Sequence, residues 1–400
     1  MIAIMVEILG LVLGCLALGW VFRAAGRRLT GNRPYFRDMG MGVAFGYALG
    51  AVLLVGIIYV YWQGKTAEGP EAARYFFFNK AVEGFILFAV AAWVFRALGR
   101  RIGTAGSRRL FRQMPLTAAF GILVITLYAL TAIFADFLAP YGQADVFDKV
   151  NVLPGGDPAM GGDPRFLLGT DQIGRDLLSR LIFGAQNTVG IAFATTCIAF
   201  FLGGTFGFLA ATLGGWVDQL LGRLVDVLMA IPALIFALLL MTIASAWAGS
   251  EKQLLTLYMV FIIAVIDSTR VFRLARAVAG NIVVMDYIEA ARLRGEGLGY
   301  LIFREILPNA TSPLLAEFGL RFCFVFLTIA SLSFLGVGIQ PPLADWGSMV
   351  RDLAPFINFA AFSPLTASLP LMAAGAIALL TVAVNFVVDW MLYRSSGLKE

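Results

Sequence analysis

The sequence predicts an all-α polytopic membrane protein. Its composition points there first: hydrophobic residues make up 60% of the chain and charged residues 14%, with a mean hydropathy of +0.85. Soluble domains are about half apolar and about a quarter charged. The patterning agrees. Apolar residues gather in runs close to the roughly 20 residues a helix needs to cross a bilayer, and nine such runs occur, at 2–22, 41–62, 77–95, 116–138, 187–212, 224–245, 254–275, 312–335 and 366–391. Arginines cluster at the ends of these runs, as they do beside membrane helices.

The first run carries Glu7 but lacks a basic leader and a small-residue cleavage pattern, so it reads as a retained helix. Arg23, Arg27, Arg28, Arg33 and Arg37 crowd the loop after it. Arg96, Arg100, Arg101, Arg108, Arg109 and Arg112 crowd the third loop, and Arg270, Arg273, Arg276, Arg292, Arg294 and Arg304 surround the seventh. If the nine helices alternate, all three loops fall on one side, which the positive-inside rule makes cytoplasmic. The N-terminus is then outside and the C-terminus inside. Segment 139–186 falls outside and is acid-rich, with Asp145, Asp148, Asp157, Asp163, Asp171 and Asp176. The net charge of +5 is thus read as topology, and no nucleic-acid partner is expected.

An internal repeat marks the N-terminal part. Trp20-Val21-Phe22-Arg23-Ala24-Ala25-Gly26-Arg27-Arg28 recurs as Trp93-Val94-Phe95-Arg96-Ala97-Leu98-Gly99-Arg100-Arg101. Each copy is a helix, an arginine-rich loop and a second helix, which reads as a duplication. Gly42, Gly46 and Gly50 share one helix face, as do Gly203 and Gly207. Both faces are expected to let another helix approach closely.

Several chemistries are excluded. The chain has no histidine, hence no histidine-based relay, metal site or triad. Cys15, Cys197 and Cys323 lie in separate apolar runs without metal-ligand spacing. Gly64-Lys65-Thr66 is the nearest approach to a phosphate-binding loop, but Tyr59 stands where its first glycine is required. No cofactor is expected, and ATP hydrolysis would have to come from another subunit.

The most informative polar stretch is Tyr287–Pro308, YIEAARLRGEGLGYLIFREILP. Glu289-Ala290-Ala291 opens it, Gly295 follows, and Ile306-Leu307-Pro308 closes it. It resembles the EAA loop of ABC importer permeases, a cytoplasmic helix that docks on an ATPase subunit; the alternative is a passive charged surface helix. Gly169-Thr170-Asp171-Gln172-Ile173-Gly174-Arg175-Asp176 resembles the G-T-D-x-x-G-R-D signature of dipeptide/oligopeptide importer permeases. After it, Leu177, Leu178, Leu181 and Ile182 share a face of a short helix, which is expected to lie along the outer membrane surface. Ser331-Leu332-Ser333-Phe334-Leu335-Gly336-Val337-Gly338, with Gln340-Pro341-Pro342 and Trp346-Gly347, is similar to the end of the fifth core helix of those permeases. Gly214-Gly215-Trp216-Val217-Asp218 and Ala230-Ile231-Pro232 bracket the start of a helix in their order.

The resemblance covers about 116–400. It implies a six-helix, type I, MetI-like permease core there, with a periplasmic segment at 139–186 and a coupling loop at 276–311, and makes 1–115 additional helices. It further implies a bacterial inner-membrane importer of peptides or related small solutes. Its partners would be a second homologous permease, two ABC ATPase subunits and a periplasmic or lipid-anchored solute-binding protein, all in membrane lipid. Two departures stand out: Glu305 occupies a position the general EAA pattern makes hydrophobic, and Ile329 stands where many relatives carry an acid.

Charges inside membrane helices are functional candidates. Glu317 and Arg321 lie i, i+4 on one helix face. They form either a self-neutralising structural pair or part of the translocation path, meeting the termini of a zwitterionic solute. Asp226 and Asp267 are expected near helix ends, reaching water. The alternative function is a self-contained secondary transporter of small polar solutes.

Overall fold

A computed structural model describes residues 2–29, 39–67, 70–102, 104–156, 158, 161–249, 251–360 and 363–395. The helices are α1 (Ile2–Leu29), α2 (Met41–Thr66), α3 (Pro70–Arg101), α4 (Ala105–Gln113) and α5 (Leu116–Ile133). Then come α6 (Leu177–Leu213), α7 (Gly215–Met229), α8 (Ala233–Ala248), α9 (Lys252–Val283) and α10 (Asp286–Leu293). The chain ends with α11 (Leu298–Phe334), α12 (Trp346–Leu353) and α13 (Leu369–Ser395). Among the described residues there are no named strands, only three isolated bridges in 153–176.

Seven helices among the described residues are long and apolar enough to cross a membrane, and eight if the bent pair α7–α8 counts as one span. These eight correspond to the second through ninth expected spans. The first, 2–22, falls in α1, whose side chains up to residue 11 lie outside the described residues, as does most of the loop 23–38. The expected straight span 224–245 is corrected: the chain turns by 87° between α7 and α8. Pro232 is the cause, because it lacks a backbone N–H and restricts the residue before it to extended geometry.

The chain divides into two compact units, Met1–Gly84 and Phe85–Glu400. In the first, α1 packs on α2 where Gly19 meets the Ala44 backbone, so closely that a Cβ would lie 2.9 Å from the Ala44 carbonyl. The close approach expected at Gly42, Gly46 and Gly50 is not found among the described residues: a Cβ on any of them would meet nothing within 4 Å. Lys65 and Lys80 flank Glu83 at 2.7 and 3.0 Å.

In the second unit α6 lies against α9. Here the glycine face does what its spacing predicts: a Cβ on Gly207 would sit 2.7 Å from the Ala275 side chain, and one on Gly203 2.7 Å from that of Val271. α5 lies along α13, with Gly121 against the Ala383 backbone. The core between these pairs holds Met241, Met259, Ile263, Phe326, Ile329, Leu332 and Trp346, all at most 2% exposed. Volume changes at such positions are costly because interiors are close-packed.

Candidate functional site

The loop singled out in the sequence is built at the end of α9. α10 is short, and its inward face carries Ile288 and Ala291, both fully buried against Ala275, Ala279, Ile302 and Ile306. The pair Ala290-Ala291 therefore does not act as one small face. The two are about 100° apart on a helix; Ala291 lets α10 settle on its own chain, while Ala290 points outward. Glu289, Arg292 and Leu293 are exposed too, Leu293 by 83%, and Val284 just before the helix by 79%.

α10 stops at Gly295, whose φ is +82°. Its N–H donates to the Arg292 carbonyl and that of Glu296 to the Ala291 carbonyl. This is the Schellman arrangement, which requires a left-handed residue after the helix. A Cβ on Gly295 would meet nothing within 4 Å, so the surface beyond it is open.

The returning arm of the loop is not a fresh helix begun by Pro308. α11 runs continuously from Leu298 and widens into a π turn at Leu301–Ile306, immediately before Leu307-Pro308. Pro308 cannot donate an i→i−4 bond and would crowd the carbonyl one turn back; the wider turn accommodates it. Ile306 is fully buried, Leu307 is half-buried and Pro308 is exposed. Ile306-Leu307-Pro308 thus anchors the loop, and Glu289, Ala290 and the Gly295 corner form its free surface.

Two ion pairs fasten α7 to α9 beside this loop. Arg273 Nη2 lies 2.5 Å from Asp226 Oδ1, and the Arg276 guanidinium forks onto Asp218. Asp226 is exposed as expected, but salt-bridged. The four side chains line a cavity of about 600 Å³ with Gly214 and Asn281.

Deeper in the helices, Glu317 and Arg321 meet as their spacing predicts, Nε to Oε1 at 2.6 Å. Asp267 from α9 joins them, 3.9 Å from Arg321 Nη1. The expectation that Asp267 reaches water is overturned, since it is 7% exposed and Arg321 8%. Neither Nε nor Nη1 of Arg321 makes a well-angled hydrogen bond among the described residues, so charge attraction dominates the cluster. The Arg321 and Arg270 guanidiniums both face the Phe324 ring, at 4.6 and 5.6 Å. Sequence reasoning missed Asp267 because its partner lies on another helix.

The signature at 169–176 folds as a tight knot. Gly169 has φ +82° and lies against the Val152 carbonyl, a place that excludes any side chain. The Thr170 hydroxyl accepts from Val152 N and donates to the Lys149 carbonyl, both at 3.0 Å. Asp171 accepts from Ile173 N, Arg175 N and Arg175 Nε at 3.1, 2.9 and 2.7 Å. Gly174 presses on the Phe147 carbonyl. Asp176 caps α6, accepting from Ser179 N at 2.7 Å. The segment after it is not a separate surface helix: it continues through a π turn at Ala185–Val189 into α6. Leu177 and Phe183 are buried, and α12 covers this stretch.

Side chains of the π turn do the joining. Asn187 donates to Gln143 Oε1 at 3.0 Å and to the Ala344 carbonyl at 2.7 Å, and Thr188 Oγ1 accepts from Trp346 N at 3.2 Å. Trp346 Nε1 donates to the Leu181 carbonyl at 2.9 Å. Asp345 caps α12 through Gly347 N and Ser348 N, and burial pushes its carboxyl above the ordinary range. Elsewhere in the segment, hydrogen bonds from Arg165 and then Lys149 hold the Asp163 carboxyl well below that range. Among the described residues no cluster of His, Cys, Asp and Glu suits a metal.

A bundle of membrane-length helices, a charge cluster inside it and a short helix exposed beyond it define a multi-pass membrane transport subunit. Residues 203–396 match the family of binding-protein-dependent transport system inner membrane components. The di/tripeptide transport system permease of Pseudomonas aeruginosa (strain UCBPP-PA14) is 35% identical over 240 residues, 60% of this chain and 76% of the relative. The dipeptide transport system permease of Haemophilus influenzae is 33% identical, over 61% of this chain and 79% of the relative. The glutathione transport system permease of Pectobacterium atrosepticum is 34% identical, over 61% and 76%. The chain belongs to this family and is a multi-pass inner-membrane permease subunit of an ABC transporter. The family favours this over a self-contained secondary transporter.

Proposed function

We propose that the chain imports peptides or related small solutes as one of two homologous permeases, with two ABC ATPase subunits and a periplasmic or lipid-anchored solute-binding protein. One observation carries the reading. α10 is fixed from inside by Ile288 and Ala291 and stopped at Gly295, yet Glu289 and Leu293 on it and Val284 just before it are exposed, with nothing among the described residues to cover them. An ATPase groove is the partner such a surface fits. Peptides are the proposed solute class because the 169–176 signature and the transport systems of the relatives agree on them. Residues 116–400 are the proposed core, and 1–115 an addition to it. Tagged chain expressed with its native neighbours is expected to copurify with an ATPase and to hydrolyse ATP only in that complex. Robust hydrolysis by the isolated chain would refute the proposal.

The proposed orientation puts the N-terminus outside and the C-terminus inside, supported by the arginine distribution. In a background with Cys15, Cys197 and Cys323 replaced by serine, Thr66→Cys is expected to react with an impermeant maleimide from outside, and Thr30→Cys only after permeabilisation. Labelling of position 30 in intact cells would reverse the topology.

Glu317 and Arg321 are proposed as a self-neutralising pair, which Asp267 extends into a clasp between α9 and α11. The burial of Arg321 and the arrival of a second acid support that role over contact with the solute.

A further inference from the structure

Within the second unit, α3, α5 and α13 stand around a slot of about 530 Å³ whose lining carries no ionisable side chain. Phe85, Ala89 and Ala92 form one wall, Phe120 the second, and Val382 and Phe386 the third. All three walls lie in helices long and apolar enough to cross a membrane, so the surrounding medium is acyl chain. Two of the three lie upstream of the residues that match the family.

The mouth of the slot is of opposite character. Phe85, Ala89, Ala92, Arg96 and Arg100 follow one another on a single face of α3. Arg96 Nε is buried and has no hydrogen-bond partner among the described residues. α4 lies against the same end: Leu110 and Phe111 pack beside Met114, and the Phe111 ring meets Phe95 edge-on at 5.3 Å. The Arg100 Nε donates to the Phe111 carbonyl at 3.5 Å. This leaves Arg108, Arg109 and Arg112 beside Arg96, Arg100 and Arg101, and residues 84–135 contain no acid at all. On the third wall Asp389 follows Phe386 by one turn, against six arginines at this end. An apolar slot that ends in such an excess of guanidiniums matches a molecule with an apolar tail and an anionic head.

We propose that this corner binds an anionic phospholipid, with an acyl chain in the slot and the phosphate on Arg96 and Arg100. Guanidinium pairs with phosphate through parallel N–H donors, and its weak hydration suits a site at the membrane boundary. A loop of protein is a poor occupant, because its backbone polar groups would go unsatisfied between these walls. The site depends on the slot and the charges, and not on the solute carried or the side that faces the cytoplasm.

The test uses the full chain in its purified complex, reconstituted in nanodiscs of equal phosphatidylglycerol and phosphatidylcholine. The lipid retained after mild detergent extraction is then weighed by native mass spectrometry. Wild type should retain phosphatidylglycerol in preference. Arg96→Gln should lower that preference about fivefold, the effect of one arginine near an anionic surface, and leave phosphatidylcholine unchanged. Arg100→Gln should do the same, and serves if Arg96→Gln fails to assemble. Ala89→Phe, which fills the slot without touching a charge, should lower retention of both lipids. Equal retention of the two lipids by wild type, or an unchanged preference in both arginine variants, overturns the proposal. So does a cysteine at Val382 that cross-links to another subunit, which would make the slot a protein interface.

Discussion

Gly295→Trp is expected to abolish solute-stimulated ATP hydrolysis by the reconstituted complex while the permease remains folded and membrane-inserted. Two effects add. The left-handed φ of +82° costs an L-residue about 1–2 kcal/mol. The indole would also project outward from a position where a Cβ meets nothing within 4 Å among the described residues, on the side proposed for the ATPase groove. Gly295→Ala separates the two, carrying the same backbone strain with almost no bulk, and should keep most of the stimulation. Glu289→Ala should be milder still, since an exposed ion pair contributes about 0–1 kcal/mol. A large residue at Ala291 should instead lower assembly, because that side chain is buried in its own unit. Stimulation of Gly295→Trp at the wild-type level, with ATPase still copurifying, would mean that α10 is not the coupling element.

The second large effect is expected inside the helices. Arg321→Met leaves Glu317 and Asp267 without the guanidinium that lies beside both, and removing one partner from a buried charge cluster costs about 3–5 kcal/mol. The expected readout is a marked drop in the temperature at which the detergent-solubilised protein loses its monodisperse chromatographic peak. Neutralising all three, as Asp267→Asn with Glu317→Gln and Arg321→Met, should recover most of that loss. If this triple variant also retains transport, the cluster is a clasp. If it is stable but carries no solute, Glu317 and Arg321 belong to the path.

Much of this architecture is legible in the sequence because membrane proteins write their spans as apolar runs and their turns as glycine and proline. The spacing of Glu317 and Arg321 is a local fact, so their meeting was predictable. So was the break at Gly295, since helices commonly end with a left-handed glycine. Asp267 was not: its partner is fixed by how far α9 is rotated and how deep it sits, and hydropathy records neither. The same limit hid which of Ala290 and Ala291 faces inward. The bend before Pro232 was visible in the residues but masked by an apolar run that continues through it. The π turns at Ala185–Val189 and Leu301–Ile306 left no local mark beyond Pro308, because a widened turn is set by what packs on it.

α9 is longer than the membrane it crosses requires. At 32 residues and about 1.5 Å of rise per residue it is roughly 48 Å long, well beyond the about 30 Å of a hydrocarbon core. Three attachments sit along it in order: the acid Asp267 near its middle, the arginines Arg273 and Arg276 gripped by α7, and the short helix α10 just past its end. It is a lever with its fulcrum inside the membrane and a handle outside. Pivoted near Asp267, a rotation of about 10° would carry the α10 end by roughly 4 Å, given about 24 Å of arm. The close contact at Gly203 and Gly207 ties α6 to α9, and α6 begins at the knot of 169–176. If α9 moves as one rigid body about that point, a displacement at the α10 end is returned at its other end with reversed sign.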